Sequence, residues 1–383
     1  MLLDATAVPA DRGGVGRYVD GLVRALSSAG KDVVDLVVVC QRSDAQRFEL
    51  LAGAAEIVAG PSAISHRPAR LAWEQTGLPL IAQQVGADVL HSPYYTMPLH
   101  ANVPVVVTVH DVTFFSEPEL HSAVKTGFYR SATRTAVRRA SRVVVPSKAT
   151  RDELVRLLDA DAAHIDVAHH GVDTGTFRPP SDAEVRRVTD RLGLHGRPYV
   201  AFLGVLERRK NVPDLVRGWV KAVDGMAEPP ALVLAGGTGW DDGVDQACAE
   251  VPSHLKVVRP GYLRAADLPG LLGGALCVAY PSKAEGFGLP VLEAMACGAA
   301  VLTARRLSLP EVGGDAVAYT EPDVESIATE LRRLIDDPTR RGQLSRAAVA
   351  RAHEFTWEAS AAAHLETYTR AIGAPASSAD AAV

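Results

Sequence analysis

The chain is poor in three things. Of its 383 residues only four are cysteine (Cys40, Cys248, Cys277 and Cys297), only 5% are aromatic, and neither sign of charge dominates. The cysteines form no CxxC pair, which argues against a disulfide scaffold or a zinc site and fits a reducing compartment. Forty Lys and Arg stand against 45 Asp and Glu, a formal net charge of -5. That balance excludes a generally basic nucleic-acid binder. The opening MLLDATAVPADRGG lacks a basic start followed by an apolar run, so no signal peptide is expected. No repeat of short period is found.

One long stretch lacks charge altogether. Residues 89–110 contain no Asp, Glu, Lys or Arg over 22 positions, enough to span a bilayer. Pro93, Pro98 and Pro104 interrupt it, and His91, His100 and Asn102 would need partners in lipid. Two short buried strands joined by a loop are the expected structure.

What is present is an ordinary globular balance, 47% hydrophobic and 22% charged. The length exceeds what one core usually covers, so two domains are expected. Short β-branched runs alternate with amphipathic stretches. In the first half these runs are 36–40, 56–60, 88–92, 103–110, 142–147 and 165–171. In the second half they are 199–204, 231–237, 255–261, 276–282, 300–305 and 316–321. Continuous apolar strands alternating with helices predict α/β domains with parallel sheets covered on both faces. Ligands then sit beyond the carboxyl ends of the strands. The spacing predicts a first Rossmann-like domain over 1–173, a linker over 174–198 and a second Rossmann-like domain over 199–355, the two facing a cleft. A C-terminal helix over 356–373 is expected to cross back onto the first domain, followed by a disordered tail over 374–383.

The most informative segment is YPSKAEGFGLPVLEAMACGAAV, residues 280–301. A strand ends at Tyr280. A loop with Glu285, Gly286 and Gly288 follows, and Pro290 suits the first turn of a helix. Glycines before a helix N-terminus let backbone N–H groups approach an anion. Glu285 on the loop and Glu293 in the helix can accept hydrogen bonds from sugar hydroxyls; the plainer alternative is a strand–loop–helix with a capping glutamate. Arg209 and Lys210 follow the first strand of the second domain, where two fixed cations would stabilise charge developing on a leaving diphosphate. The alternative is a solvated run opening a helix. His110 ends the fourth apolar run beside Asp111; alone, such a histidine is more often a hydrogen-bonded core residue. Asp159-Ala160-Asp161 matches a metal–diphosphate pattern but is read as helix-end and turn aspartates.

The E285-x7-E293 pattern within EGFGLPVLEAMACG resembles the signature of retaining glycosyltransferases of the GT-B fold, the family-4 group. The resemblance extends over nearly the whole chain. It includes GGVGRY (13–18), VTVHDVTF (107–114), HHGVDTGTF (169–177), GVLERRKN (204–211), SLPEVGGDA (308–316) and FTW (355–357). The pattern looks most like bacterial members that transfer mannose or related sugars to lipid-linked or polysaccharide acceptors. Under this resemblance Glu285 binds donor-sugar hydroxyls and Glu293 the ribose. Phe287, Gly288 and Leu289 offer backbone N–H groups, and Arg209 and Lys210 neutralise the diphosphate. Gly14 allows the diphosphate to approach closely, and His110 lies beside the reacting carbon. The resemblance implies no metal and no cofactor beyond a nucleotide-sugar donor, GDP-mannose first. Val205, Ala300 and His170 depart from the family's commonest residues, and Val205 removes one expected phosphate contact.

Between Glu119 and Asp152 there is no acidic residue, and Arg130, Arg134 and Arg138 recur at helical spacing. They predict either a solvated helix face or contact with an anionic membrane. The expected location is therefore cytoplasmic, with the inner face of the plasma membrane as a peripheral site. Three other functions stay open: a GT-B-fold epimerase of UDP-amino sugars, an NAD-dependent oxidoreductase (though no G-x-G-x-x-G follows the first strand), and a non-catalytic nucleotide-sugar-binding protein.

Overall fold

A computed structural model describes residues 1–8 and 12–373. The chain divides into two compact units, Met1–Gly171 with the chain from Thr356 onward, and Val172–Phe355.

The first unit is built on a seven-stranded sheet. Its strands are β1 (Leu2–Asp4), β2 (Val37–Cys40), β3 (Glu56–Ala59), β4 (Leu90–Ser92), β5 (Val105–Thr108), β6 (Arg142–Val145) and β7 (Ile165–Val167). The order is β3-β2-β1-β4-β5-β6-β7 and every pairing is parallel. The uncharged run 89–110 supplies β4 and β5, and among the described residues no helix is long and apolar enough to cross a membrane. One strand went unforeseen. Leu2–Asp4 forms β1, so the run ending at His110 is the fifth strand of its sheet and not the fourth. That strand is three residues long and carries no β-branched side chain; its place is fixed by neighbours at Val37 and Leu90.

Helix Trp357–Gly373 belongs to this first unit and packs on helix Gly14–Ser28. Gly21 makes the approach possible, since a Cβ there would fall inside the Trp357 indole. The expected tail 374–383 lies outside the described residues.

The second unit holds a six-stranded parallel sheet: β8 (Tyr199–Leu203), β9 (Ala231–Ala235), β10 (Val257–Gly261), β11 (Cys277–Tyr280), β12 (Val301–Ala304) and β13 (Ala318–Thr320). The order is β10-β9-β8-β11-β12-β13. Strands β8, β9 and β11 are buried on both faces, as their unbroken apolar sequences predict, whereas the edge strand β10 is only partly covered. The stretch 174–198 folds as part of this unit. Its helix Asp182–Arg191 starts with a capping box between Ser181 and Glu184 and packs on helix Leu268–Gly273.

In each sheet the strand order reverses once, between β1 and β4 and between β8 and β11. Ligands of open parallel sheets bind beyond the carboxyl ends of the strands at such reversals.

Candidate functional site

The reversal in the second unit is flanked by the loop after β8 and the loop after β11. The first carries Arg209 and Lys210, the second Glu285. The loops are tied together by the Lys283 N–H, which donates to the Arg209 carbonyl at 2.8 Å, and the Ser282 hydroxyl oxygen lies 2.9 Å from the same carbonyl. This lacing brings three charged side chains into one buried cluster.

Glu285 is 7% exposed and fully engaged. Its Oε2 accepts from Arg209 Nη1 at 2.7 Å. Its Oε1 accepts from Lys210 Nζ, from the Tyr280 hydroxyl at 2.8 Å and from the Ser282 hydroxyl at 2.8 Å. Burial by itself would raise this carboxyl, but Arg209 and Lys210 outweigh it and hold it down at about 2. Burial is the first cause lowering Lys210, with Arg209 next, and Glu285 and Glu207 oppose them. Glu207 also accepts from Arg209 Nε at 2.9 Å, which orients the guanidinium. The result is a pair of fixed cations whose present counter-ion is a carboxylate.

Glu285 leads into helix Leu289–Ala296, whose N-cap is Gly288 at φ 101. Only glycine adopts that conformation readily, and a Cβ there would also stand 2.8 Å from Leu309 Cδ2. The Ser308 hydroxyl shares its single hydrogen between the carbonyls of Glu285 and Phe287, 2.8 and 3.0 Å away. Phe287 is buried edge-on against Phe355. Leu289 opens the helix, and Glu293 is buried on it, 2% exposed. Of the residues expected to bind donor, those of the second unit thus share one strand–loop–helix and the facing loop.

The first unit places the other two. Gly14 opens helix Gly14–Ser28, an N-terminus with no acidic residue in its first turn and no side-chain cap. His110 lies two residues past β5. Its Nε2 is 2.8 Å from the Pro93 carbonyl. A carbonyl only accepts, so Nε2 carries the proton and Nδ1 is left as an acceptor. Burial lowers this histidine, with the Pro93 carbonyl and Asp111 opposing, so the ring is neutral near pH 7. Asp111 accepts from both the N–H and hydroxyl of Thr113, at 3.1 and 2.9 Å.

Tyr18 packs edge-on against His110, ring centres 5.0 Å apart. Beneath it runs a buried chain of hydrogen bonds that the sequence did not disclose. His364 Nδ1 is 2.7 Å from the Ser360 carbonyl, so its Nε2 must accept from the Tyr18 hydroxyl at 2.8 Å. The Tyr18 oxygen then accepts from the Thr108 hydroxyl at 2.9 Å. Thr108 accepts from His91 Nε2 at 2.8 Å, and His91 Nδ1 accepts from the Tyr368 hydroxyl at 2.9 Å. One carbonyl therefore fixes the direction of every bond in the chain.

Other expectations resolve more simply. Asp159 ends helix Lys148–Leu158 in the left-handed conformation, and Asp161 accepts from the Ala163 N–H at 2.9 Å. Among the described residues no cluster of three or more His, Cys, Asp or Glu could hold a metal ion. The three arginines of helix Ala123–Arg139 are not equivalent. Arg130 is half-buried and its Nε donates to the Phe114 carbonyl at 2.7 Å, whereas Arg134 and Arg138 are exposed. Tyr280, Ser282, Ser308 and Glu207 were also not foreseen as site residues. Ser282 and Glu285 are three apart in one motif, the one local hint available.

Comparison with known proteins identifies the family and the fold. The model of Glycosyltransferase Family 4 matches residues 12–176, and that of Glycosyl transferases group 1 matches residues 188–351. O-antigen chain mannosyltransferase B of Escherichia coli is 31% identical over 272 residues, covering 70% of this chain and 71% of that protein. D-inositol 3-phosphate glycosyltransferase of Corynebacterium kroppenstedtii is 30% identical over an alignment of 408 residues, covering 94% and 86%. Among solved structures, Anabaena HepE in complex with UDP-glucose superposes with a TM-score of 0.76 at 18% identity, covering 96% of this chain and 98% of that one; it is similar in fold. The chain belongs to the family-4, group 1 glycosyltransferases and is a glycosyltransferase of GT-B fold.

Proposed function

We propose that the protein is a retaining hexosyltransferase that moves mannose from GDP-mannose to a hydroxyl of a lipid-linked or polysaccharide acceptor. The observation that carries the reading is the buried cluster of Arg209, Lys210 and Glu285 at the sheet reversal of the second unit. The donor diphosphate takes the two cations. Glu285, so released, accepts from sugar hydroxyls, and Glu293 from the ribose. The backbone of Phe287, Gly288 and Leu289 lies along the sugar and phosphate. In the first unit, Gly14 is read as allowing close approach of a diphosphate, and His110 Nδ1 as a neutral acceptor for a hydroxyl.

In the transfer, the bond from the anomeric carbon to the phosphate oxygen breaks and its electron pair stays on phosphate. The acceptor oxygen bonds to the same face of that carbon, and its proton passes to a phosphate oxygen. Arg209 and Lys210 stabilise the leaving charge as it develops. A glycosyl–enzyme adduct trapped in mass spectrometry would contradict this route.

Mannose is favoured by the name of the Escherichia coli relative. The inositol phosphate glycosyltransferases favour a second acceptor class, a small phosphorylated polyol. A thermal-shift panel of GDP- and UDP-sugars separates donors. GDP-mannose should give the largest shift, and a larger shift with a UDP-sugar would overturn the donor assignment.

A further inference from the structure

Tyr280 ends β11 and is wholly buried. Its ring lies near-parallel to Phe202, 5.7 Å away, and its carbonyl accepts from the Thr303 hydroxyl at 2.9 Å. The side chain is therefore held by packing, and only the hydroxyl hydrogen can turn. That hydroxyl touches two charged groups of opposite sign, Lys210 Nζ and Glu285 Oε1. An ammonium only donates, so the phenol oxygen accepts from Lys210 and its single hydrogen goes to Glu285.

We propose that Tyr280 is a positioning residue for the transfer reaction: its hydroxyl holds the Lys210 ammonium at a fixed point and keeps the Glu285 carboxylate oriented when the cations turn to phosphate. The inference rests on the reading of this cluster as the donor site. Lysine is a point charge on a flexible four-carbon stem, and without a fixed acceptor its ammonium would sample many positions. Glu285 loses two donors when a diphosphate takes Arg209 and Lys210. Tyr280 and Ser282 are the donors that remain. Burial, with Glu285 next, raises the phenol well above its ordinary value, so it stays a neutral donor throughout the working pH range.

Tyr280→Phe keeps the ring and removes the hydroxyl. The charged groups around position 280 are Glu207, Arg209, Lys210 and Glu285. Losing an acceptor lowers Lys210, and losing a donor raises Glu285. The pH–rate profile of transfer should therefore narrow from both sides, which a purely structural role would not produce.

The test has two arms. In the ligand-free protein labelled with 13Cε-lysine, NMR titration should show Lys210 losing its proton at lower pH in Tyr280→Phe than in the wild type. With GDP-mannose and UDP-glucose each supplied as donor, kcat should fall by about tenfold to a hundredfold, the scale of one hydrogen bond to charged groups, while the affinity for GDP or UDP alone moves by less than about threefold. 3,5-Difluorotyrosine at position 280 keeps the shape and weakens the acceptor. It should shift Lys210 in the same direction by less, which keeps the test open if the phenylalanine variant folds poorly. An unshifted Lys210 in both variants, or wild-type kcat in both, would overturn the proposal. If Glu285→Gln and Lys210→Ala also transfer normally, the donor-site reading itself fails instead.

Discussion

The hydroxyl of Tyr18 stands 2.8 Å from Nε2 of His364, a residue 346 positions later in the chain. This bond joins helix Gly14–Ser28 to the C-terminal helix beneath the ring of His110. His364→Ala would leave the phenol without its acceptor and open a cavity. A loss of about 2–4 kcal/mol is expected, read by denaturant unfolding.

The same chain predicts a pH dependence. Burial brings His364 from the ordinary 6.5 down to about 4, and lowers His91 and His170 in the same direction. As pH falls, the unfolded chain binds these protons first. The stabilisation is whole above pH 6.5 and shrinks between 6.5 and 4, by on the order of 3 kcal/mol from His364 alone. Glu285, held down at about 2 against an ordinary 4.5, loses its own stabilisation as pH falls from about 4.5 toward 2, so it overlaps only the bottom of this window. Melting temperature should fall over that range in the wild type and less steeply in His364→Gln. Equal slopes would contradict the assignment.

Glu285→Ala should cripple transfer yet leave binding of a nucleoside diphosphate intact. The carboxylate now pairs with both Arg209 and Lys210, so its removal makes their Nη1 and Nζ groups available to phosphate while Glu207 and Tyr280 still hold them. Isothermal titration with GDP should show an affinity equal to or above that of the wild type. A weakened affinity would mean that Glu285 holds the nucleotide itself.

Under the proposed reading, Lys210→Ala removes one preorganised charge from the leaving group. Turnover should drop by about 10²–10³, the usual scale for losing such a contact. Steady-state release of nucleoside diphosphate measures it, and near-normal turnover would undo the cation's assignment.

The basic face of helix Ala123–Arg139 is best tested without Arg130, which braces the Phe114 carbonyl. Arg134, Arg138 and Arg139 are exposed. Substituting all three by Glu should abolish sedimentation with anionic liposomes if the face meets a membrane. Unchanged sedimentation would reduce it to a solvated surface.

The sheets were legible because strands buried on both faces must be runs of Val, Leu and Ala, and such runs are visible without a structure. Leu2–Asp4 escaped because a three-residue strand takes its place from its neighbours. The E285-x7-E293 segment was legible because loop, cap and helix are contiguous. The partners of Glu285 were less so. Tyr280 reads as the last residue of an apolar strand, and its polar role exists only once Lys210 arrives from 70 positions away. The Tyr18–His364 and His91–Tyr368 bonds leave no local trace, since nothing in either neighbourhood names the other. Arg130 looked equivalent to Arg134 and Arg138 by helical spacing. Spacing defines a face but not the carbonyl that happens to lie against it.

A crystal structure of the protein with GDP-mannose is the most direct measurement. The diphosphate oxygens should lie within hydrogen-bond distance of Lys210 Nζ and the Arg209 guanidinium, with Glu285 turned to the sugar. A nucleotide sugar bound elsewhere, with the Arg209–Glu285 and Lys210–Glu285 pairs still closed, would contradict the account.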